Sequence, residues 1–207
     1  MIAIVKYNAG NIGSVTNALN RLGIENKVTD DPAELQAADK VIFPGVGEAG
    51  TAMKYLRERE LDQVLINLKQ PFLGICLGMQ LMCNHSEEGD TKCLGIFDTD
   101  VKLFKSKEFK VPHMGWNSLN TESRIDSNQK SKITNRQSLI LNDLSQQADV
   151  YYVHSYYAEL CGDTAAVCDY ILPFSSVLQK DNFYATQFHP EKSAGVGEQI
   201  LKNFIEL

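Results

Sequence analysis

Pro71-Phe72-Leu73-Gly74-Ile75-Cys76-Leu77-Gly78-Met79-Gln80-Leu81-Met82 decides how this chain folds. Phe72, Leu73 and Ile75 form an apolar run of the buried-strand kind, and Met79, Leu81 and Met82 continue as an apolar helix of good helix formers. Gly74 and Gly78 stand two residues before and two after Cys76. A Cβ at either place would collide with the neighbouring strand or helix, so the spacing predicts strand, sharp turn and helix with a thiol at the apex. Unpaired N–H groups at the start of that helix favour an anion, hence the thiolate, and the same groups can receive an oxyanion. An isolated Cys is more often a small buried core residue. The two flanking glycines turn the reading toward a nucleophile.

The chain has 207 residues, enough for one sizeable core, and one domain over 1–207 is the expectation. Its net charge of −6 comes from interspersed acids and bases. No basic stripe invites nucleic acid and no polybasic end invites a membrane. The longest apolar stretch is the elbow itself, far short of the ~20 apolar residues that cross a bilayer. Met1 leads directly into strand-like Ile2–Val5, which predicts a cytoplasmic protein without a signal segment. Cys76, Cys83, Cys93, Cys161 and Cys168 contain no Cys-x-x-Cys, and His85, His113, His154 and His189 lack metal-ligand spacing. Neither disulfides nor a metal is expected.

Upstream of the elbow, strands and helices alternate. Ile2 to Tyr7 reads as a buried strand, Asn8 to Ser14 as a loop, and Val15, Ala18, Leu19 and Leu22 as one helical face closed by Gly23. Asn8 occupies the place where a dinucleotide fingerprint needs its first Gly, so the loop is read as a tight turn or a partner surface. Ile24 to Val28 makes a second strand, and Asp31 caps a short helix that begins at Pro32. Lys40 to Phe43 makes the third and runs into Pro44-Gly45-Val46-Gly47, either a plain turn or a ligand loop at the carboxyl end of a parallel strand. Ala49 to Leu68 reads as one helix. Such alternation predicts an α/β fold in three layers, a mostly parallel open sheet with helices on both faces.

Downstream the character changes. Ile96 to Phe104 reads as a half-exposed strand, and Lys105 to Lys110 as a solvated connection. Val111-Pro112-His113-Met114-Gly115-Trp116-Asn117 is either an edge strand with a packed Trp or a partner-facing hot spot. Asn120 to Gln137 is polar and predicts a mobile insertion. Val150 to Tyr157 reads as one strand, Thr164 to Ile171 and Ser175 to Leu178 as two more, and Phe183 to Phe188 as the return of a hairpin ended by Pro190. Ser193 is the expected N-cap of a closing helix.

A Cys nucleophile needs a base, and the base needs a group that fixes its tautomer. His189-Pro190-Glu191 offers both at the end of one strand. A lone His is commonly structural, and the Cys elbow in the same chain reverses that reading.

Pro44-Gly45-Val46-Gly47, Gly74-Ile75-Cys76-Leu77-Gly78-Met79-Gln80 and Gln187-Phe188-His189-Pro190-Glu191-Lys192-Ser193, in this order and spacing, resemble the class I, triad-type glutamine amidotransferases. Val111 to Asn117 and Tyr152-Val153-His154-Ser155-Tyr156 narrow the resemblance to the branch that serves histidine biosynthesis. It runs from Lys6 to the C-terminus and implies a flavodoxin-like fold without a cofactor. The implied activity is hydrolysis of L-glutamine to glutamate and ammonia. The ammonia passes, in a heterodimer, to a (β/α)₈ cyclase subunit that makes imidazole glycerol phosphate and an aminoimidazole carboxamide ribonucleotide. Carried over by position, Cys76 attacks the carboxamide, His189 shuttles the proton and Glu191 orients His189. The N–H groups of Leu77 and, after a peptide rearrangement, Val46 form the oxyanion hole. Gly47, Gln80 and the backbone of His154, Ser155 and Tyr156 hold the glutamine head group, while Asn11, Trp116 and Lys192 face the cyclase. Glu48 departs from the pattern where some relatives carry His, and the polar stretch after Asn120 looks longer than in compact members. A paralogue feeding a sugar-amidating enzyme could share every block. A subunit serving vitamin B6 synthesis would lack His113-Met114-Gly115-Trp116, and a stand-alone cysteine hydrolase is disfavoured by His189-Pro190-Glu191 beside Gln80.

Overall fold

Side-chain alternation along short apolar strands builds two cores, one on each face of a single sheet. The computed structural model describes residues 1–7, 12–121, 138–145 and 147–207. Of the expected loop at Asn8 to Ser14, residues 8–11 lie outside the described residues and Ile12 to Ser14 are already helix; most of the expected insertion, residues 122–137, also lies outside. In β1 (Ile2–Val5), Ala3 and Val5 enter one core and Ile2 and Ile4 the other. β3 (Lys40–Phe43) and β4 (Phe72–Ile75) divide the same way, Val41, Phe43 and Phe72 against Ile42, Leu73 and Ile75.

With β2 (Asn26–Thr29) and β13 (Phe183–Thr186), these strands form a parallel half-sheet in the order β2-β1-β3-β4-β13. Beyond β13 the sheet continues antiparallel through β12 (Pro173–Lys180), β11 (Thr164–Asp169), β8 (His113–Asn120) and β9 (Gln147–His154). Among the described residues the sheet has nine strands. A second sheet pairs β10 (Tyr156–Ala158), β7 (Asp100–Leu103), β5 (His85–Ser86) and β6 (Thr91–Lys92) in that order.

Helices α1 (Ile12–Arg21) and α6 (Ala194–Glu206) cover one face through Val15, Leu19, Ile200 and Phe204. On the other face lie α2 (Pro32–Ala37), α3 (Ala49–Glu58), α4 (Leu61–Ile66) and α5 (Leu77–Leu81). The expected three-layer α/β architecture is present. Asp31 caps α2 as its sequence suggests, one carboxylate oxygen accepting from the N–H groups of Ala33 and Glu34 at 2.8 and 3.1 Å. No helix among the described residues is long and apolar enough to cross a membrane.

Four local expectations change. Ala49 to Leu68 is two helices, α3 and α4, broken where Glu60 takes a left-handed φ of 56°. Leu56 and Leu61 are five residues apart, which on a continuous helix would point them in different directions. The break resets the phase so that both are buried. Of Ile96 to Phe104 only β7 is strand, because Ile96 and Phe97 fold inward as core residues. Val150 to Tyr157 leaves the large sheet at His154 and enters the small one at Tyr156, with Ser155 as the corner. Ser193 stands at the N-cap position of α6 without capping it; its hydroxyl donates to the His189 carbonyl at 2.7 Å and accepts the Tyr151 N–H at 2.9 Å.

Candidate active site

The carboxyl ends of β3, β4 and β13 lie side by side, where an open parallel sheet places its ligands. Cys76 sits between β4 and α5 at φ 53°, a strained conformation for a residue with a side chain. The flanking glycines are required by contact. A Cβ on Gly78 would overlap the Phe43 carbonyl oxygen, and one on Gly74 would overlap the Met82 sulfur. The Cys76 N–H donates to the Thr186 carbonyl at 2.7 Å, tying the elbow to β13. Because Ile75 pairs with Thr186, Cys76 falls beside Gln187, and the chain then carries His189 past the strand end.

His189 and Glu191 have side chains only 1% exposed and are 2.9 Å apart, His189 Nδ1 to Glu191 Oε1. Nδ1 therefore carries the proton toward the carboxylate, and Nε2 is the edge available to the thiol. No hydrogen-bond partner of Nε2 is found among the described residues. Burial alone would depress the imidazole pKa, but the neighbouring Cys76, then Glu191, raise it to about 10. The carboxylate reaches back through a 3₁₀ turn at Pro190–Lys192, not along an extended chain as the two-residue spacing suggests. The Ser14 hydroxyl also donates to Glu191 Oε1, at 3.3 Å.

The two expected oxyanion donors are not both presented. Leu77 N–H donates to the Gly45 carbonyl at 3.4 Å. Gly45 C=O and Val46 N–H belong to one trans peptide, so with the carbonyl aimed at Leu77 the Val46 N–H is aimed away. Behind this loop the buried Tyr7 hydroxyl donates to the Pro44 carbonyl at 2.5 Å, and a Cβ on Gly45 would strike it. Tyr7 carried no signal in the sequence beyond being a strand end.

Gln80 is buried and its Nε2 donates to the Tyr156 carbonyl at 2.9 Å and to Gln187 Oε1 at 3.0 Å, leaving Oε1 as the atom it can offer a ligand. In the segment expected to hold the substrate head group, the Ser155 carbonyl accepts the Phe104 N–H at 3.0 Å and the Tyr156 carbonyl accepts His154 Nδ1–H at 2.7 Å. Both of these carbonyls are thus occupied within the fold. Gly47 is exposed at the mouth, at φ 132°. Near it stand Glu48, which caps α3 through the Gly50 and Thr51 N–H groups, and Glu88, which accepts the Ala49 N–H at 2.9 Å. Burial raises the Glu88 pKa, and the carboxylates of Glu88, Glu87 and Glu48 add to burial in raising that of the Tyr156 phenol. Glu88 escaped the sequence reading because it lay in a polar loop.

His154 and His113 form a buried chain. His154 Nε2 is 3.0 Å from His113 Nδ1, and His113 Nε2 is 3.3 Å from Asn117 Nδ2. Burial depresses the two imidazoles, to about 3 for His154 and about 4 for His113, so both are neutral. The Tyr156 carbonyl can only accept, which fixes the proton on His154 Nδ1. His154 Nε2 then accepts from His113 Nδ1–H, and His113 Nε2 accepts from Asn117. Unfolding lets both rings bind protons below their ordinary value of ~6.5, so their contribution to stability is present above that pH and is lost as pH falls toward the folded values. His189, raised, acts in the opposite sense above ~6.5. Urea midpoints should therefore fall steadily from about pH 6.5 to about pH 5, before most carboxylates titrate. A flat profile there would contradict neutral burial of the pair.

Trp116 is 55% exposed and Met114 67%, on one face of β8 opposite Tyr151 and Val153 of β9. Trp116 meets Tyr151 edge-on, at 6.0 Å and 71°, so it is not a core residue. The Val153 carbonyl lies 3.9 Å from Cys76 Sγ, so the strand opposite Met114 reaches the elbow itself. Lys192 is exposed on a turn bonded to the Tyr151 backbone at both ends. Asn11 lies outside the described residues. Among the described residues no group of three His, Cys, Asp or Glu could hold a metal ion.

Residues 4–207 match the family described as glutamine amidotransferase class-I. Among curated relatives, an imidazole glycerol phosphate synthase subunit HisH from Bacteroides thetaiotaomicron is 56% identical, covering 100% of this chain and 99% of its own. One of the same name from Xanthomonas euvesicatoria is 42% identical over 100% and 97%. Among solved structures, a glutamine amidotransferase aligns with TM-score 0.70 at 18% identity, covering 100% of this chain and 98% of its own. A glutamine amidotransferase from Thermotoga maritima aligns with TM-score 0.60 at 17% identity, covering 99% and 80%. At these identities the structures speak to the fold alone.

Proposed function

We propose that this chain, which belongs to the glutamine amidotransferase class I family, is the glutaminase subunit of an imidazole glycerol phosphate synthase. It hydrolyses L-glutamine and delivers ammonia to a (β/α)₈ cyclase subunit in a cytoplasmic heterodimer. The observation that carries this is a thiol held at positive φ beside a buried imidazole–carboxylate pair, in a chain that aligns end to end with subunits of that name.

In this reaction His189 Nε2 takes the Cys76 proton and Sγ attacks the carboxamide carbon. Negative charge moves to the carboxamide oxygen and is met, once the Gly45–Val46 peptide has turned over and freed the Leu77 N–H from the Gly45 carbonyl, by the N–H groups of Leu77 and Val46. His189 returns the proton to the leaving nitrogen and ammonia departs, leaving a γ-glutamyl thioester on Cys76. His189 then removes a proton from water, hydroxide attacks the thioester carbon, and glutamate leaves as Sγ regains its charge. Glu191 keeps the proton on Nδ1 throughout and stabilises the imidazolium. The substrate α-carboxylate is held by N–H groups of Ser155, Tyr156 and Gly47, and its ammonium by Gln80 Oε1 and the carboxylates of Glu88 and Glu48.

The exposed Met114 and Trp116 face, with Lys192 and the segment carrying Asn11, meets the cyclase. A large aromatic in the centre of such a face contributes ~2 kcal/mol or more. Titrating the chain against the purified cyclase subunit, with glutamate release as readout, tests the assignment. Trp116→Ala should weaken the complex by about thirtyfold with a melting temperature close to wild type. Unchanged affinity for Trp116→Ala together with a large fall in melting temperature would return Trp116 to a structural role. Failure of wild type to bind the cyclase or to release glutamate would overturn the assignment.

A further inference from the structure

Beyond the triad, one more side chain touches the nucleophile. Gln187 is fully buried on the strand beside the elbow, with Nε2 3.7 Å from Cys76 Sγ and Oε1 3.0 Å from Gln80 Nε2. The direction of this amide follows from its neighbours. The Tyr156 carbonyl only accepts, so Gln80 must turn its NH₂ toward it. That same NH₂ then faces Gln187, which must present Oε1 to Gln80 and its own NH₂ to the sulfur. Reversing either amide would set oxygen against oxygen between buried side chains, the costly case of a buried acceptor left unmade. The His154 ring, donating to the same Tyr156 carbonyl, occupies its other lone pair and holds that acceptor in place.

We propose that Gln187 is a further catalytic residue, an N–H donor to Cys76 Sγ that favours the thiolate over the thiol. The proposal rests on the assignment of Cys76 as nucleophile. Two backbone and side-chain contacts of the sulfur pull in opposite directions. The Val153 carbonyl, at 3.9 Å, can accept the thiol proton and favours the resting, protonated form. Gln187 can only donate, and a donor is worth more to a full charge than to a neutral sulfur. The other titratable groups at the sulfur are His189, with Glu191 behind it, and the Tyr7 phenol. Tyr7 is pushed up by burial and by charge at Cys76, and so stays neutral. Gln187 thus acts twice in a turnover, when the thiolate forms and again when it leaves the thioester.

The test is the pH dependence of Cys76 alkylation by iodoacetamide, followed by mass spectrometry of the Cys76 peptide, in wild type, Gln187→Met and Gln187→Glu. Gln187→Met keeps length and removes the donor. Its alkylation midpoint should rise by about one unit, so that below it the rate falls about tenfold. Gln187→Glu keeps shape and places a carboxylate at the sulfur, and should shift further in the same direction. Glutaminase kcat should fall by at least as much, with KM little changed. An unshifted midpoint in a folded Gln187→Met protein overturns the proposal. Should that variant not fold, an unshifted Gln187→Glu overturns it equally. A shifted midpoint in Gln187→Met, with a wild type that released no glutamate, would leave Gln187 in its role and remove the glutaminase assignment instead.

Discussion

Replacing Cys76 by alanine is expected to stop glutamate release while the chain still folds and still binds its cyclase. No other thiol can stand in. Cys83, Cys93, Cys161 and Cys168 are buried, and burial raises the pKa of each, to about 12 for Cys93 and Cys168. Alanine at position 76 meets the same backbone strain as cysteine and loses one small side chain, so little stability changes. His189→Ala should cost at least the general acid–base factor of ~10²–10⁴. Because nucleophile and base work as one unit, the double variant should be hardly worse than Cys76→Ala, whose loss is on the order of 10⁶ by comparison with other such units. Glutamate release under saturating glutamine, with cyclase present, measures all three. Measurable turnover by Cys76→Ala, or full-rate turnover by His189→Ala, would sink the triad assignment.

The elbow was legible because its constraint is local. Gly74 and Gly78 are needed by contacts within a few residues or with the adjoining strand, and a spacing of two glycines around a Cys reports this directly. The strand–helix alternation before it was also legible where β1, β3 and β4 are buried on both faces and read as plain apolar runs, whereas the edge strand β2, exposed at Lys27 and Val28, runs from Asn26 to Thr29 and not from Ile24 to Val28. Less of the second half could be read. Nothing in the β-branched and aromatic content of Val150 to Tyr157 marks Ser155 as the place where the chain changes sheets, because strand propensity does not report which partner a strand takes. The roles of Tyr7, Gln187 and His113 depend on register between distant strands. Gln187 faces Cys76 only because β13 lies beside β4 with Thr186 opposite Ile75. Such pairings have no sequence period, whereas the residues that need special backbone freedom do leave a mark.

Val46→Pro is expected to abolish most of the rate stimulation that a loaded cyclase gives, even where the complex still forms. Glutamine hydrolysis without an acceptor wastes ammonia, and in the mechanism we propose this loop withholds it: the Gly45 carbonyl occupies the Leu77 N–H, which turns the Val46 N–H away. Tyr7, donating to the Pro44 carbonyl, anchors the residue before the one peptide that must rotate. Glycine at 45 and 47 gives that peptide its freedom, Gly47 already at a φ of 132°. One oxyanion donor is worth ~10²–10³ in rate, or ~2.7–4 kcal/mol. If the turned-over peptide is rare in the isolated chain, a partner that stabilises it raises kcat by that factor and leaves KM nearly unchanged. Proline removes the Val46 N–H itself, so turning the peptide brings no donor to the oxyanion. Val46→Ala keeps the N–H and should respond as wild type does. Steady-state glutaminase rates with and without cyclase and its ribonucleotide separate the cases. A wild-type chain that ran alone at the full complex rate, or a Val46→Pro chain stimulated normally, would remove the peptide switch and leave the Cys76–His189–Glu191 chemistry standing without it.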